Sequence, residues 1–282
     1  MSQEKIYQNG DTVLSVRKGK KQYSNEVILD SIVMDIKQGE FISILGTSGS
    51  GKSTLLKLLA GLETWTSGDQ INTLKTSSAF VFQDPNLLSW RTVMENTILP
   101  LEFQAHQKKN SGSRSVQPFL HSQNTSIKPV INSDHKQLML REQAHEVLSM
   151  VNMTSASERY PHELSGGMKM RTSLARAFIT KPQLLFMDEP FAALDEPTRE
   201  SLQDQLRQIW ETQRTTILFV THSLQEALYL SNRIIFLDGR PAKIVEDRKV
   251  ELPDHRSSLT RTSKEYFEVL KDLRVFIHSK LN

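Results

Sequence analysis

The stretch Gly46-Thr47-Ser48-Gly49-Ser50-Gly51-Lys52-Ser53-Thr54 constrains this chain more than any other. It stands between an apolar run, Phe41-Ile42-Ser43-Ile44-Leu45, and the leucine-rich Leu55-Leu56-Lys57-Leu58-Leu59. The order reads as strand, glycine-rich turn, helix. Gly46, Gly49 and Gly51 let the backbone curl with its N–H groups pointing inward, and a helix beginning near Lys52 adds roughly half a positive charge at its N-terminus. The result is a cradle for phosphate. The stretch fits G-x-x-x-x-G-K-[ST] completely: the Lys52 ammonium reaches β- and γ-phosphate oxygens, and the Ser53 hydroxyl coordinates the Mg²⁺ that bridges them.

Composition narrows the class only a little. A chain of 282 residues suffices for one large α/β domain or two small ones. Hydrophobic residues at 38% and charged residues at 24% are ordinary globular usage, and no apolar run approaches the roughly 18 residues needed to span a bilayer. If a membrane matters, another chain is expected to cross it. Met1-Ser2-Gln3-Glu4-Lys5 contains no basic segment followed by an apolar one, so the expectation is a protein that stays in the cytoplasm. The absence of cysteine excludes disulfides and cysteine-ligated metal without choosing a redox compartment. The formal charge of +3 is unevenly placed: Gln104–Gln137 holds Lys108, Lys109, Arg114, Lys128 and Lys136 against Asp134 alone, a net +4. A nucleic-acid binder shows its basic residues as a stripe on a folded surface, whereas these lie in a polar insertion, so no nucleic-acid partner is expected.

Upstream, Leu14 and Val16, then Ile32, Met34 and Ile36, recur with period two and predict half-buried antiparallel strands closed by a turn at Lys37-Gln38-Gly39. Lys20-Lys21-Gln22-Tyr23-Ser24-Asn25 between them reads as a polar loop whose Tyr23 either covers the sheet edge or stacks on a base. Downstream, Gly61 is a helix stop, Trp65-Thr66-Ser67-Gly68-Asp69 reads as a turn, and Ala79-Phe80-Val81-Phe82 as a buried strand ending at Gln83. Ligands of open α/β sheets collect at such strand ends. Leu87–Phe103 mixes apolar and polar residues. From Gln104 to Gln137 the Ser/Asn/Gln/His-rich composition predicts a loop insertion, after which Arg141–Met150 resumes a helical pattern that Tyr160-Pro161-His162 interrupts.

Leu164-Ser165-Gly166-Gly167-Met168 then opens a helix over Lys169–Ile179, with Ser165 placed as the N-cap. Its approachable N–H groups make it either a second anion site or simply a capped helix. Gln183–Pro190 is an apolar strand ending in Asp188-Glu189. Buried carboxylates are costly unless paired or bound to metal, which points to Asp188 holding Mg²⁺ and Glu189 orienting or deprotonating the water that attacks phosphorus. After Phe191–Asp195, Pro197 begins a helix with Leu202, Leu206, Ile209 and Trp210 on one face. Thr216–Thr221 is another buried strand, and His222 at its end is placed to hydrogen-bond a γ-phosphate. Ser223–Leu230 reads as a short helix, Arg233–Leu237 as a last strand and Ser263–Phe276 as an amphipathic tail helix.

Gly46–Thr54, Gln83, Leu164–Met168, Leu184–Glu189, Ala193-Leu194-Asp195 and His222 occur in the order seen in the nucleotide-binding subunit of ABC transporters, which this chain resembles from about Leu14 to Ile244. By that resemblance the segments are the Walker A loop, Q-loop, signature, Walker B strand, D-loop and switch histidine. Tyr23 falls on the adenine-stacking aromatic. The implied fold is a P-loop NTPase core with an antiparallel β subdomain and an inserted α-helical subdomain at about 86–180. The ATPase domain covers 1–245, and a tail with an amphipathic helix covers 246–282. Leu88–Val93, Tyr160–Met168 and Asp238-Gly239-Arg240-Pro241 resemble the nitrate, sulfonate and taurine importer branch.

The resemblance implies ATP and Mg²⁺ as cofactors, with Ser53, Gln83 and Asp188 toward the metal, Glu189, His222 and Gln83 at the hydrolytic step, and Leu164–Met168 reaching the ATP of a partner subunit. Met168 departs from the commoner glutamine of the signature, with little loss expected. Ser223 replaces the aspartate that often follows the switch histidine, which weakens an expected contact between subunits. The implied partners are a second ATPase subunit, identical or related, integral membrane permeases and a solute-binding protein, with the chain peripheral on the cytoplasmic face of the inner membrane. The Gln104–Gln137 insertion is either a spacer or a contact to the permease. The alternatives are an importer of a pyrimidine vitamin precursor, another ABC transport complex, or a soluble ABC ATPase. Against the last stand the single cassette and the lack of heptads in the insertion.

Overall fold

The computed structural model describes residues 11–72, 77–110 and 133–280. They form two compact units, one built from the chain up to Pro85 and from Pro182 onward, the other from Asn86–Lys181. In chain order the elements are β1 (Thr12–Tyr23), β2 (Glu26–Lys37), β3 (Phe41–Gly46), α1 (Lys52–Leu59), β4 (Ser67–Asn72), β5 (Ser78–Val81), α2 (Val93–Asn110), α3 (Ser133–Met150) and α4 (Gly166–Phe178). They continue with β6 (Leu184–Asp188), α5 (Glu196–Gln213), β7 (Thr216–Val220), α6 (Leu224–Leu230), β8 (Arg233–Asp238), β9 (Lys243–Lys249) and α7 (Lys264–Lys280).

The first unit contains two sheets. β1 pairs antiparallel with both β2 and β4, giving a three-stranded sheet in the order β2-β1-β4. Ile32, Met34 and Ile36 alternate inward, as period two requires, while Val33 points to solvent. Leu29 is also buried, three residues before Ile32, because a bulge near Ser31 (φ 55°) shifts the register: Lys21 pairs with Leu29 but Gly19 with Ile32. The second sheet has the order β5-β6-β7-β3-β8-β9 and is parallel except for β9, which runs antiparallel to β8. β3, β6 and β7 carry near-continuous apolar runs and are buried on both faces, the pattern expected of a covered parallel sheet.

Between the sheets lies α1. Leu55, Leu56, Leu58 and Leu59 are at most 2% exposed and share one apolar cluster with Leu14, Val16, Ile32 and Ile36 on one side and Ile42, Phe186, Leu218 and Val220 on the other. Each such leucine contributes roughly 1.5–3 kcal/mol on burial. The helix stops at Gly61 (φ 72°), where Leu62 N–H bonds the Lys57 carbonyl at 2.9 Å and Gly61 N–H the Leu58 carbonyl at 3.0 Å. That is the two-bond termination a left-handed glycine permits.

The second unit contains α2, α3 and α4. Asn96 is fully buried at the start of α2. Its amide oxygen accepts from Leu88 N–H at 2.8 Å, and its amide nitrogen donates to the Leu88, Arg91 and Thr92 carbonyls at 3.1, 3.0 and 2.9 Å. Thr92 and Glu95 add reciprocal cap bonds. Val147 and Leu148 of α3 and Met170 and Leu174 of α4 supply the unit's apolar interior.

Several expectations need correction. The predicted polar loop Lys20–Asn25 is mostly strand: β1 runs through Tyr23, and only Ser24-Asn25 turns. Pairing of Gln22 with Val27 and Tyr23 with Glu26 overrides the polar composition. The predicted turn at Trp65–Asp69 contains the start of β4, because Lys20 and Arg17 of β1 pair with Ser67 and Asp69. Arg233–Leu237 is not the last strand; charged β9 follows, joined through an Arg233–Asp247 pair at 2.7 Å. Phe82 falls just beyond β5 and is exposed. The predicted loop Gln104–Gln137 is helical at both ends, since α2 continues to Asn110 and α3 begins at Ser133, where Ala, Gln and Lys favour helix. Its remainder, 111–132, lies outside the described residues. Among the described residues, no helix is long and apolar enough to cross a membrane.

Leu56→Ala is expected to destabilise the chain by about 2–5 kcal/mol in urea titration, as large-to-small changes in a two-sided core do. Leu62→Ala, at a side chain 56% exposed, should shift stability by at most ~0.5 kcal/mol in the same experiment.

Candidate functional site

Parallel pairing sets the site. Val220 aligns with both Ile44 and Asp188, and Gly46 aligns with Leu237, so β6, β7, β3 and β8 end at one edge of the sheet. Four chain segments leave that edge together: the glycine loop, Asp188-Glu189, Thr221-His222 and Asp238–Pro241. A cleft of about 680 Å³ opens there. Tyr23 and Ile28 form one wall, Ser48, Gly49 and Gly51–Thr54 the floor, and Glu189 and His222 the far side.

The loop's shape explains its glycines. A side chain at Gly46 would lie 2.4 Å from the Leu237 carbonyl and 2.6 Å from Ser50 Oγ, while Gly49 and Gly51 adopt left-handed φ of 77° and 79°. Gly51 is the residue from which α1 starts, and Leu55 N–H bonds its carbonyl at 2.8 Å. Gly46, Thr47 and Ser50 belong to the loop but do not line the cleft, and Ser50 N–H bonds the Thr47 carbonyl at 3.2 Å. The Lys52 ammonium donates to the Gly46 and Thr47 carbonyls at 3.0 and 2.9 Å, and burial pulls its pKa down against the opposing pull of Glu189 and Asp188. Ser53 Oγ donates to Asp188 Oδ1 at 2.8 Å. Burial pushes the Asp188 carboxyl up, Ser53 opposes this, and neighbouring Glu189 adds to the rise.

Glu189 follows β6 with φ 45°, a left-handed conformation uncommon for a non-glycine residue, and its N–H bonds the Val220 carbonyl at 3.0 Å. Its carboxylate meets His222 Nδ1 at 3.2 Å. Strain of this kind, held by a neighbouring strand, is typical of sites where a side chain must be aimed.

Tyr23 is fixed from below: its hydroxyl donates to Glu63, and the Lys21 ammonium sits 4.5 Å from its ring centroid and 3.3 Å from Glu63. Burial and the Glu63 carboxylate raise its pKa. Gln83, exposed, follows the C-terminal end of β5, beside the strand that carries Asp188, but does not line the cleft. Asp195 is exposed and caps α5, accepting from Thr198 N–H at 3.2 Å, and hydrogen bonding to the Thr198 side chain, then to its backbone, lowers its pKa. Leu164–Met168 belongs to the second unit. Ser165 caps α4, accepting from Met168 N–H at 3.3 Å; Leu164 is buried, Ser165 and Gly166 are exposed, Gly167 is buried and Met168 half-buried.

The sequence reading missed Ile28 and Glu63. No local signal marks them, because both reach the cleft region through pairing and folding of distant segments.

The ABC transporter family model matches residues 29–192. The aliphatic sulfonates import ATP-binding protein SsuB of Bacillus cereus is 34% identical over 257 residues, covering 89% of this chain and 88% of that one. The nitrate import ATP-binding protein NrtC of Synechococcus elongatus is 34% identical, covering 90% of this chain and 36% of that one. Among solved structures, a dimeric ATP-binding cassette in a post-hydrolysis state with ADP and Pi matches with a TM-score of 0.65 and 27% identity, covering 85% of this chain and all, 100%, of that one. A cassette of the cbiONQ complex from Clostridium perfringens matches in fold with a TM-score of 0.69 at 21% identity, over 96% of this chain and 100% of that one. Family model, sequence identity over most of the length and fold agree, and this chain belongs to the ABC transporter family as one of its ATP-binding, ATP-hydrolysing cassettes.

Proposed function

We propose that this cassette powers import of a small solute of the sulfonate or nitrate kind, working as one of two ATPase subunits beneath a membrane-embedded permease. The observation that carries the hydrolytic part is a cleft lined by the phosphate loop, Ser53 and the Glu189–His222 pair, with Asp188 bonded to Ser53. The solute class is supported by the relatives whose names describe sulfonate and nitrate import. Residues 1–245 form the ATPase domain in this reading, with a helical subdomain at about 86–180 and a tail beyond.

ATP enters with its base against Tyr23 and its phosphates on the amides of Ser48–Thr54, where Lys52 neutralises the β- and γ-oxygens. Ser53 and Asp188 suit Mg²⁺, since both offer hard oxygens 2.8 Å apart and a divalent cation relieves a carboxylate that burial disfavours. Among the described residues no cluster of three or more His, Asp or Glu could hold a metal alone; Ser53 and Asp188 would hold Mg²⁺ together with the nucleotide, and Gln83 is the further residue proposed toward it. Bound there, Mg²⁺ would supply charge neutralisation at the transferring phosphoryl group. Glu189 orients the attacking water and accepts its proton, and His222 donates to the γ-phosphate.

Ser165 and the N–H groups of Gly166–Met168 meet the γ-phosphate of a partner subunit's ATP, with Asp195 at the same junction. Binding closes the pair, and hydrolysis releases it because those contacts need an intact γ-phosphate. The chain sits peripherally on the cytoplasmic face, held by the permease, and a solute-binding protein delivers cargo.

Glu189→Gln should keep ATP binding and reduce steady-state turnover by roughly 10²–10⁴, the usual size of a general-base effect; near-normal phosphate release would remove Glu189 from that role. Asp188→Asn should abolish Mg²⁺-dependent turnover yet raise the thermal midpoint at neutral pH. The folded chain holds the Asp188 proton more tightly than the unfolded one, so its stability falls as pH rises through that window. The gain should therefore vanish at pH values below the ordinary aspartate range, near ~3.9. Tagged Glu189→Gln chain loaded with ATP and Mg²⁺ should co-purify a multi-span permease from solubilised membranes. Reproducible recovery of soluble partners alone would refute the importer reading while leaving the ATPase intact.

A further inference from the structure

Behind His222 lies a chain of buried polar groups that the proposed hydrolysis leaves without a role. The Ser223 N–H donates to Thr221 Oγ at 2.9 Å, and the Thr221 hydroxyl, its one proton directed onward, donates to Glu226 Oε2. The other carboxylate oxygen, Oε1, accepts from the Gln203 amide at 3.0 Å, and the Gln203 amide oxygen accepts from the Arg261 guanidinium at 3.0 Å. Ser223 Oγ returns a bond by accepting from Glu226 N–H at 3.3 Å. Thr221, Gln203 and Glu226 are 1%, 5% and 7% exposed. His222, whose imidazole meets Glu189, thus lies between two residues anchored by this network, and Glu189, His222 and Glu226 line the same cavity of about 10 Å³.

The donors fix the sense of this network. Thr221 and Gln203 each present a donor to one of the two Glu226 oxygens, while burial raises the Glu226 pKa against the pull of those two bonds. A carboxyl group so deeply buried is costly, and a well-packed apolar side chain of similar volume is often at least as stable, so stability is a weak reason for its presence. We infer that Glu226 is a positioning residue for His222: by accepting from Thr221 and Gln203 it fixes the Thr221–Ser223 corner, keeping the imidazole at the Glu189 carboxylate, with Arg261 of the C-terminal segment completing the anchor. The inference rests on the role proposed above for His222.

The test uses the full chain and compares steady-state ATP hydrolysis with binding of a fluorescent ATP analogue for His222→Ala, Glu226→Gln and the double variant. Glu226→Gln places an amide donor against either Thr221 or Gln203. It should lower kcat by about 10- to 100-fold, the scale of a misplacement of about 1 Å, with analogue affinity changed less than about twofold. The double variant should be no slower than His222→Ala. Thr221→Val, which keeps shape and removes the hydroxyl, should lower kcat in the same way and carries the test if Glu226→Gln does not fold. Normal kcat in His222→Ala would overturn the role of the histidine itself. Slow turnover in His222→Ala with normal kcat in Glu226→Gln or Thr221→Val, or losses that multiply in the double variant, would overturn the positioning role.

Discussion

Parallel hydrogen bonding of β3 with β7 and β8 is the constraint on which the rest depends. Strand register fixes where each chain segment leaves the sheet, and here Ile44, Val220 and Asp188 lie on one line of pairing. A slip of one residue would turn every side chain of β6 to the other face, separating Asp188 from Ser53. Register is firmly specified because both faces of these strands are buried, one of them against α1. The chemistry is thus a by-product of core packing: the leucines that hold α1 between two sheets also aim its N-terminus at the cleft.

What the sequence made legible follows the same physics. Gly46–Thr54, the strand Leu184–Asp188 and the strand Thr216–Val220 were readable because burial on both faces demands continuous apolar runs and the glycine loop demands its spacing. β4 and β9 were not, since an edge strand facing solvent can be almost wholly polar, as Ser67–Asn72 and Lys243–Lys249 are. The helical ends of the polar insertion are not legible because a lack of apolar residues argues for a loop, although Gln104–Asn110 is rich in helix formers. Ile28, Glu63 and Glu226 have no local signature at all. Ile28 and Glu63 owe their places to contacts between segments far apart in the chain, and Glu226 is held both by nearby Thr221 and Ser223 and by distant Gln203.

The C-terminal segment shows how such contacts replace a core. Arg207 is fully buried; it donates to the Leu230 carbonyl at 2.6 Å and to the Asp254 carbonyl, and its guanidinium lies 4.3 Å from the Trp210 ring centroid. Arg256 donates to the Leu228, Tyr229 and Ser231 carbonyls at 2.8, 3.0 and 2.8 Å. These two arginines satisfy the otherwise orphaned carbonyls at the end of α6, a helix of seven residues that begins beside His222. Tyr266 adds a bond from its hydroxyl to the Gln225 carbonyl at 3.1 Å. A short helix that would be marginal alone is thereby held at both ends.

The strand order β5-β6-β7-β3-β8-β9 has a consequence for biosynthesis. β3 emerges from the ribosome early, yet both of its neighbours are encoded beyond Thr216. At ordinary elongation rates the intervening chain takes roughly 10–30 s to make. Until Thr216 is made β3 lacks both of its pairing neighbours, and only α1 and the β2-β1-β4 sheet are available to cover one of its faces. Ribosome-bound chains arrested before Thr216 should accordingly be the form most in need of a chaperone, and the nucleotide cleft cannot exist until they have passed that point.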